Sequence, residues 1–152
     1  MKHTSLVQTP LGLVGISEQN SAITALFFAS TEQAEGTATP LLQEAEQQLF
    51  EYFEGTRKTF DLPLAAEGTL FQKKVWEALR NIPYGETRSY QQVAESIGQP
   101  GASRAVGMAN HKNPLLILTP CHRVLGADGS LVGFAAGLDV KQKLLELEKT
   151  QK

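Results

Sequence analysis

Residues 89–114, SYQQVAESIGQPGASRAVGMANHKNP, decide how the second half of this chain folds. Ser89 with Gln92 three positions later is a capping box, so a helix begins at Tyr90, and Gly98 supplies its C-terminal stop. Four residues on, Ala102 opens a second helix, which Asn113-Pro114 ends. Two short helices joined by a tight glycine-containing turn outline a helix-turn-helix, whose second member meets nucleic acid; the same outline also serves plain core packing. The content of the second helix favours the first use. Ala102, Ala105, Gly107 and Ala109 are small enough for close approach to a backbone, and Arg104 is the one long cation near the N-terminus. A helix reading major-groove bases would offer more polar side chains, so contact with a backbone or a minor groove fits better.

Working upstream, Thr69 caps a helix carrying Phe71, Val75, Trp76 and Leu79, which stops before Pro83. Residues 65–68 read as a linker, which puts a domain boundary between 1–67 and 68–152. Before it, SLVQTP, GLVGIS and AITALFF, between residues 5 and 28, are separated by turn residues and predict a small antiparallel sheet. Pro40 opens a helix with Leu41, Leu42, Ala45, Leu49, Phe50 and Phe53 on one face, closed by Gly55. FDLPL at 60–64 reads as a last strand. The expected fold class is α/β of the α+β kind: a sheet-plus-helix domain followed by a helical one.

Working downstream, the apolar run Leu115–Leu118 reads as a buried strand that leads into a rigid bend, TPCHRV at 119–124. This bend holds the chain's single cysteine, Cys121. A lone cysteine after an apolar run is ordinarily an inert small hydrophobe. As a nucleophile it needs a base or a positive environment, and His122 and Arg123 offer both. Neighbours in extended chain point to opposite sides, so a turn, a bridging water or a third residue must bring His122 to the sulfur. The closing helix carries Val140, Leu144, Leu145 and Leu147 on its apolar side. Glu148 falls beside that stripe and Glu146 toward solvent, which makes Glu148 either a salt-bridge partner at the core edge or a carboxylate that orients His122.

At 152 residues and 41% hydrophobic content, one good core or two small ones fit. The N-terminus MKHTSLVQTP lacks the apolar region of a secretory signal, which points to the cytoplasm. One cysteine and three scattered histidines make a poor zinc set, so no metal is expected. The net charge of −2 hides an asymmetry: residues 1–67 hold three Lys/Arg against nine Asp/Glu, a net −6, and residues 68–152 hold eleven against seven, a net +4. Only the second half suits a polyanion, with weak and salt-sensitive binding.

FQKKVWEAL, IPYGETRSYQQVA, SRAVGMA, NPLLILTPCHRV and the closing GF-x-x-GL…K…LLELE together resemble the O6-alkylguanine-DNA alkyltransferases, over residues 71–148. These are suicide repair proteins that move an alkyl group from guanine O6 to their own cysteine. The resemblance implies a ribonuclease-H-like first domain and a second domain built on the helix-turn-helix. It implies that Cys121 accepts the alkyl group, that His122 takes the thiol proton through a water, and that Glu148 holds the imidazole. Asn113 would brace the turn before the cysteine, and Tyr90 would crowd the phosphate and bond the flipped base. Arg104 would fill the space of the extruded guanine, with further DNA contacts at Ser89, Ala102, Gly107 and Arg123. The base pocket would comprise Val124, Ala135, Phe134 and Leu116, and backbone carbonyls of Cys121 and Val124 would receive the guanine amino group.

The implied partner is double-stranded DNA containing alkylated guanine, met by a monomer, with cooperativity on DNA left open. No cofactor and no membrane are implied, and O4-alkylthymine is a second substrate. The compartment is cytoplasmic, at the nucleoid in a prokaryote or nuclear in a eukaryote. Ala135 and Ala136 stand where many relatives have Ser or Arg-Trp, so a side-chain hydroxyl contact to O6 is lost while a backbone contact remains; Leu116 stands where some have proline, and Phe134 where tyrosine is frequent. The competing readings are a non-transferring alkyltransferase-like protein, a helix-turn-helix regulator and a multiple-turnover thiol hydrolase.

Overall fold

The computed structural model describes residues 2–29, 38–126 and 137–151. The chain divides into two compact units, Met1–Glu67 and Gly68–Lys152. In the first, β1 (Lys2–Thr9), β2 (Gly12–Gln19) and β3 (Ala22–Phe28) form an antiparallel sheet in the order β1-β2-β3. The β2–β3 turn is Asn20-Ser21, both with positive φ (53° and 65°), the backbone that matches the twist of the flanking strands. One face of the sheet supplies Val14, Ile16, Ile23 and Leu26 to a core completed by α1 (Pro40–Glu54). Thr39 caps α1 by accepting from the amide of Leu42 at 3.1 Å, and Gly55 ends it at φ 83°.

Two expectations for this unit fail. Phe50 is 59% exposed, and Tyr52 joins Leu42, Ala45 and Leu49 on the buried face instead, so the apolar stripe is narrower than the sequence suggests. FDLPL forms no regular strand. It touches the sheet only at a parallel bridge between Ile23 and Leu64, with the amide of Ile23 donating to the carbonyl of Pro63 at 2.8 Å. Pro63 has no N–H to continue a ladder, and the side chain of Gln48 occupies both backbone groups of Asp61 in the manner of a neighbouring strand, at 3.1 and 2.9 Å.

In the second unit, α2 (Leu70–Arg80) begins in a capping box between Thr69 and Gln72, and α3 (Tyr90–Ser96) in one between Ser89 and Gln92. A turn through Gly98, at φ 77°, leads to α4 (Ser103–His111), and α5 (Leu138–Gln151) closes the chain. Val75, Trp76 and Leu79 of α2 meet Val106 and Ala109 of α4, and the indole of Trp76 donates to the carbonyl of Ala109 at 2.9 Å. Burial of such a side chain is worth about 2–3 kcal/mol. A two-residue parallel ladder pairs β4 (Arg88–Ser89) with β5 (Val124–Leu125). The two residues before α3 are therefore tied to the two that follow the cysteine turn. On α5, Leu144 is fully buried, whereas Val140, Leu145 and Leu147 are half-buried.

Leu115–Leu118 is buried as expected, but Leu115 makes only an isolated bridge and residues 116–118 form turns, not a strand. Asn113 redirects the backbone: its Oδ1 accepts from the amide of Leu115 at 2.9 Å, and its Nδ2 donates to the carbonyls of Thr119 at 2.8 Å and Leu115 at 3.3 Å. Ile117 then takes φ 71°, with the amide of Leu118 donating back to the carbonyl of Leu116 at 2.7 Å. A three-residue turn of this hand is strained for a β-branched residue.

Candidate active site

Proline and hydrogen bonding set the local path around the cysteine. Pro120, at φ −79° and ψ 67°, is the centre of an inverse γ-turn closed by the amide of Cys121 donating to the carbonyl of Thr119 at 2.8 Å. The chain then enters a single 3-10 turn, Cys121–Arg123, against which α5 packs. That tight winding provides a turn, one of the three devices that adjacent Cys and His residues could use. All three of its side chains are buried.

His122, fully buried, places Nε2 at 2.6 Å from Oε2 of Glu148. Its Nδ1 has no hydrogen-bond partner among the described residues. Burial pushes the imidazole below its ordinary 6.5, against the pull of Glu148, so the ring rests neutral at physiological pH. With Nε2–H donated to the carboxylate, Nδ1 carries the lone pair. Burial would raise Glu148, but its bonds to His122 and Arg123 outweigh that and hold its carboxyl well below the usual range. Burial pushes the Cys121 thiol up to about 11, with the Asn113 side chain and the charge of Lys141 opposing. Cys121 is thus a thiol at rest that needs a base at the moment of attack.

The structure corrects one expected DNA contact. Arg123 is buried, its Nε and Nη2 donate to the two oxygens of Glu148 at 2.8 and 2.9 Å, and its Nη1 donates to the carbonyl of Ile82 at 2.7 Å. Its guanidinium also lies 5.7 Å from the ring centroid of Tyr84. Three of its donors are thus committed inside the fold. Glu148 accordingly performs both roles left open by the sequence, salt-bridge partner and orienter of His122.

The remaining expected residues fall in two places. Cys121, His122, Glu148 and Asn113 come together, and Tyr90 lies close enough to Cys121 for a thiolate there to raise its hydroxyl's pKa, after the larger effect of burial. Val124 and Leu116 are buried. Arg104 stands exposed on α4; Ser89 caps α3, Ala102 precedes α4 without a side-chain cap, and a methyl group at Gly107 would meet the Tyr90 ring at 3.9 Å. Phe134, Ala135 and Ala136 lie outside the described residues.

A family model described as "6-O-methylguanine DNA methyltransferase, DNA binding domain" matches residues 70–150, and one described as "6-O-methylguanine DNA methyltransferase, ribonuclease-like domain" matches residues 2–66. The chain belongs to the 6-O-methylguanine DNA methyltransferase family. It is 46% identical over 159 residues to the constitutive methylated-DNA–protein-cysteine methyltransferase of Bacillus subtilis, covering 98% of this chain and 96% of that one. The crystal structure of Mycobacterium tuberculosis O6-methylguanine methyltransferase superposes with a TM-score of 0.91 at 42% identity, covering 100% and 95%. The structure of M. tuberculosis OGT in complex with DNA gives a TM-score of 0.86 at 45% identity, covering 96% and 92%. No helix among the described residues is long and apolar enough to cross a membrane.

Within this family frame, three residues at the site escaped the sequence reading. Lys141 of α5 is fully buried; burial brings its ammonium down to about 8, and a Cys121 thiolate would raise it. It precedes Leu144 by three and Glu148 by seven, a helical spacing that could have revealed it. Asn110, 1% exposed, shares the buried face of α4 with Val106 and Ala109, and its Nδ2 donates to the carbonyl of Cys121 at 3.4 Å. Arg80 at the end of α2 donates from Nη1 to the hydroxyl of Thr119 at 2.8 Å. Nothing local in sequence announces that contact between residues 39 positions apart.

Proposed function

We propose that this protein repairs DNA by direct reversal, transferring one alkyl group from O6 of guanine, and from O4 of thymine, to Sγ of Cys121 in a single turnover. The observation that carries the reading is a buried thiol wound in one 3-10 turn with a histidine whose far nitrogen is held by Glu148. His122 withdraws the thiol proton through a bridging water, as the resemblance implies, and its imidazolium charge is met by Glu148. The sulfur attacks the alkyl carbon, the S–C bond forms and the C–O6 bond breaks. The departing guanine takes a proton donated by Tyr90, which lowers the barrier by neutralising the leaving group. The thioether at Cys121 is stable and nothing in the sequence points to a second group that would release it, so each molecule reacts once.

Residues 68–152 serve as the DNA-binding and transfer domain and 1–67 as the ribonuclease-H-like domain, acting as a monomer in the cytoplasm. Arg104, exposed on α4, fills the space left by the flipped guanine, at a cost of a few kcal/mol in lost stacking. Ser89, Ala102 and Gly107 approach the backbone beside it, Asn113 holds the turn before the cysteine, and Val124 and Leu116 shape the base pocket, to which the resemblance also assigns Phe134 and Ala135.

Intact-mass measurement after exposure to duplex containing O6-methylguanine tests this. One methyl mass should appear per molecule, on the Cys121 peptide, and Cys121→Ala should abolish it. Binding without added mass would make the protein a recognition module, and repaired DNA in excess of protein would make it a hydrolase.

A further inference from the structure

Asn110 is a costly residue to bury. A carboxamide in an apolar helix face loses its hydration unless each polar atom finds a partner. Its Nδ2 donates to the carbonyl of Cys121 at 3.4 Å, and its carboxamide also interacts with the side chain of Tyr90. Its Oδ1 has no hydrogen-bond partner among the described residues, although it is buried. An orphan acceptor is therefore held between the nucleophile's own backbone and the tyrosine that faces it.

The chemistry of the substrate limits what can satisfy that oxygen. Alkylation at O6 removes the proton from N1, and N3 and N7 are acceptors, so the base of an O6-alkylguanine carries one N–H donor group, the 2-amino group. In the minor groove that amino group is what sets guanine apart, since adenine and thymine present acceptors alone. An alkylated thymine likewise has no N–H to offer.

Resting on the transfer reading above, we propose that Asn110 is a specificity-determining residue whose Oδ1 accepts a hydrogen bond from the 2-amino group of the extruded O6-alkylguanine. The second hydrogen of that amino group remains for a backbone carbonyl. Binding of alkylguanine completes the hydrogen bonding of a buried group. A base without the donor leaves it incomplete, which is the situation in which protein sites discriminate most strongly.

Single-turnover transfer rates from duplexes containing O6-methylguanine or O6-methylhypoxanthine, which differ only in the 2-amino group, test this. Rates are normalised to the fraction of each protein that takes up methyl, so partial misfolding of a variant drops out of the ratio. The wild-type chain should prefer O6-methylguanine, and Asn110→Leu should reduce that preference roughly tenfold, the loss of about one good hydrogen bond. Asn110→Asp, which keeps the oxygen, should retain it. Equal preference in the wild type and Asn110→Leu overturns the proposal, as does loss in Asn110→Asp as large as in Asn110→Leu. Failure of the wild type to take methyl from either duplex would instead refute the transfer reading.

Discussion

Glu148 holds two partners with one carboxylate, His122 through Oε2 and Arg123 through both oxygens, and all three side chains are buried. Removing the anion strands a buried guanidinium, a loss that amounts to about 3–5 kcal/mol for one member of such a pair. Glu148→Gln should therefore lower the free energy of unfolding, measured by denaturant titration at pH 7, by that amount. The same carboxyl is depressed below its ordinary 4.5 in the fold, so its contribution is fully present above that pH and is lost as pH falls from there through the lower folded value. His122, also depressed from 6.5, acts in the same sense: below that value protonation favours the unfolded chain. Stability lost between pH 4.5 and about 2 should be smaller in Glu148→Gln, whose amide does not titrate, than in the wild-type chain, whereas the loss that begins below pH 6.5 belongs to His122 and remains in both. A parallel decline in both would remove Glu148 as the source. Cys121, His122 and Glu148 were legible from residue type and helical phase. Arg123 was misread because a cation beside a catalytic pair looks like a DNA contact until its distant partners, Ile82 and Glu148, are known.

At the level of elements, legibility followed local chemistry. The capping boxes at Thr69 and Ser89 and the stop at Gly55 need only neighbours within a few residues, and the structure forms all three. The run at 115–118 was read as a strand because burial alone cannot distinguish a strand from a tightly wound turn. What decides it is the side chain of Asn113, whose bonds bend the backbone from outside the run. FDLPL was misread because Gln48, from a helix, stands in for the missing strand. The Asn20-Ser21 turn yields a prediction of its own. Both residues have positive φ, and Ser21 pays for it with a Cβ that glycine lacks. Ser21→Gly should raise stability by about 0.5–1 kcal/mol in thermal or chemical unfolding, and a decrease would show that the serine side chain is needed there.

Over the whole molecule, the sequence puts its excess of positive charge in residues 68–152, and the long exposed cation of α4 is Arg104. If Arg104 stands in for a flipped base, Arg104→Ala should slow transfer from duplex by about 10- to 100-fold, a few kcal/mol of unstacking left uncompensated. Transfer from the free base O6-methylguanine should be unchanged, and equal loss on both would tie the arginine to chemistry instead of extrusion. One small feature bears on how these functions stay coupled. The parallel ladder joins Arg88 and Ser89 to Val124 and Leu125, so the helix that starts at Tyr90 and the coil holding the sulfur stand on a common hinge pin. Thermal fraying there would disturb both in one event, so a molecule relaxed enough to lose the proposed lesion contact at Tyr90 would also lose the aim of Cys121.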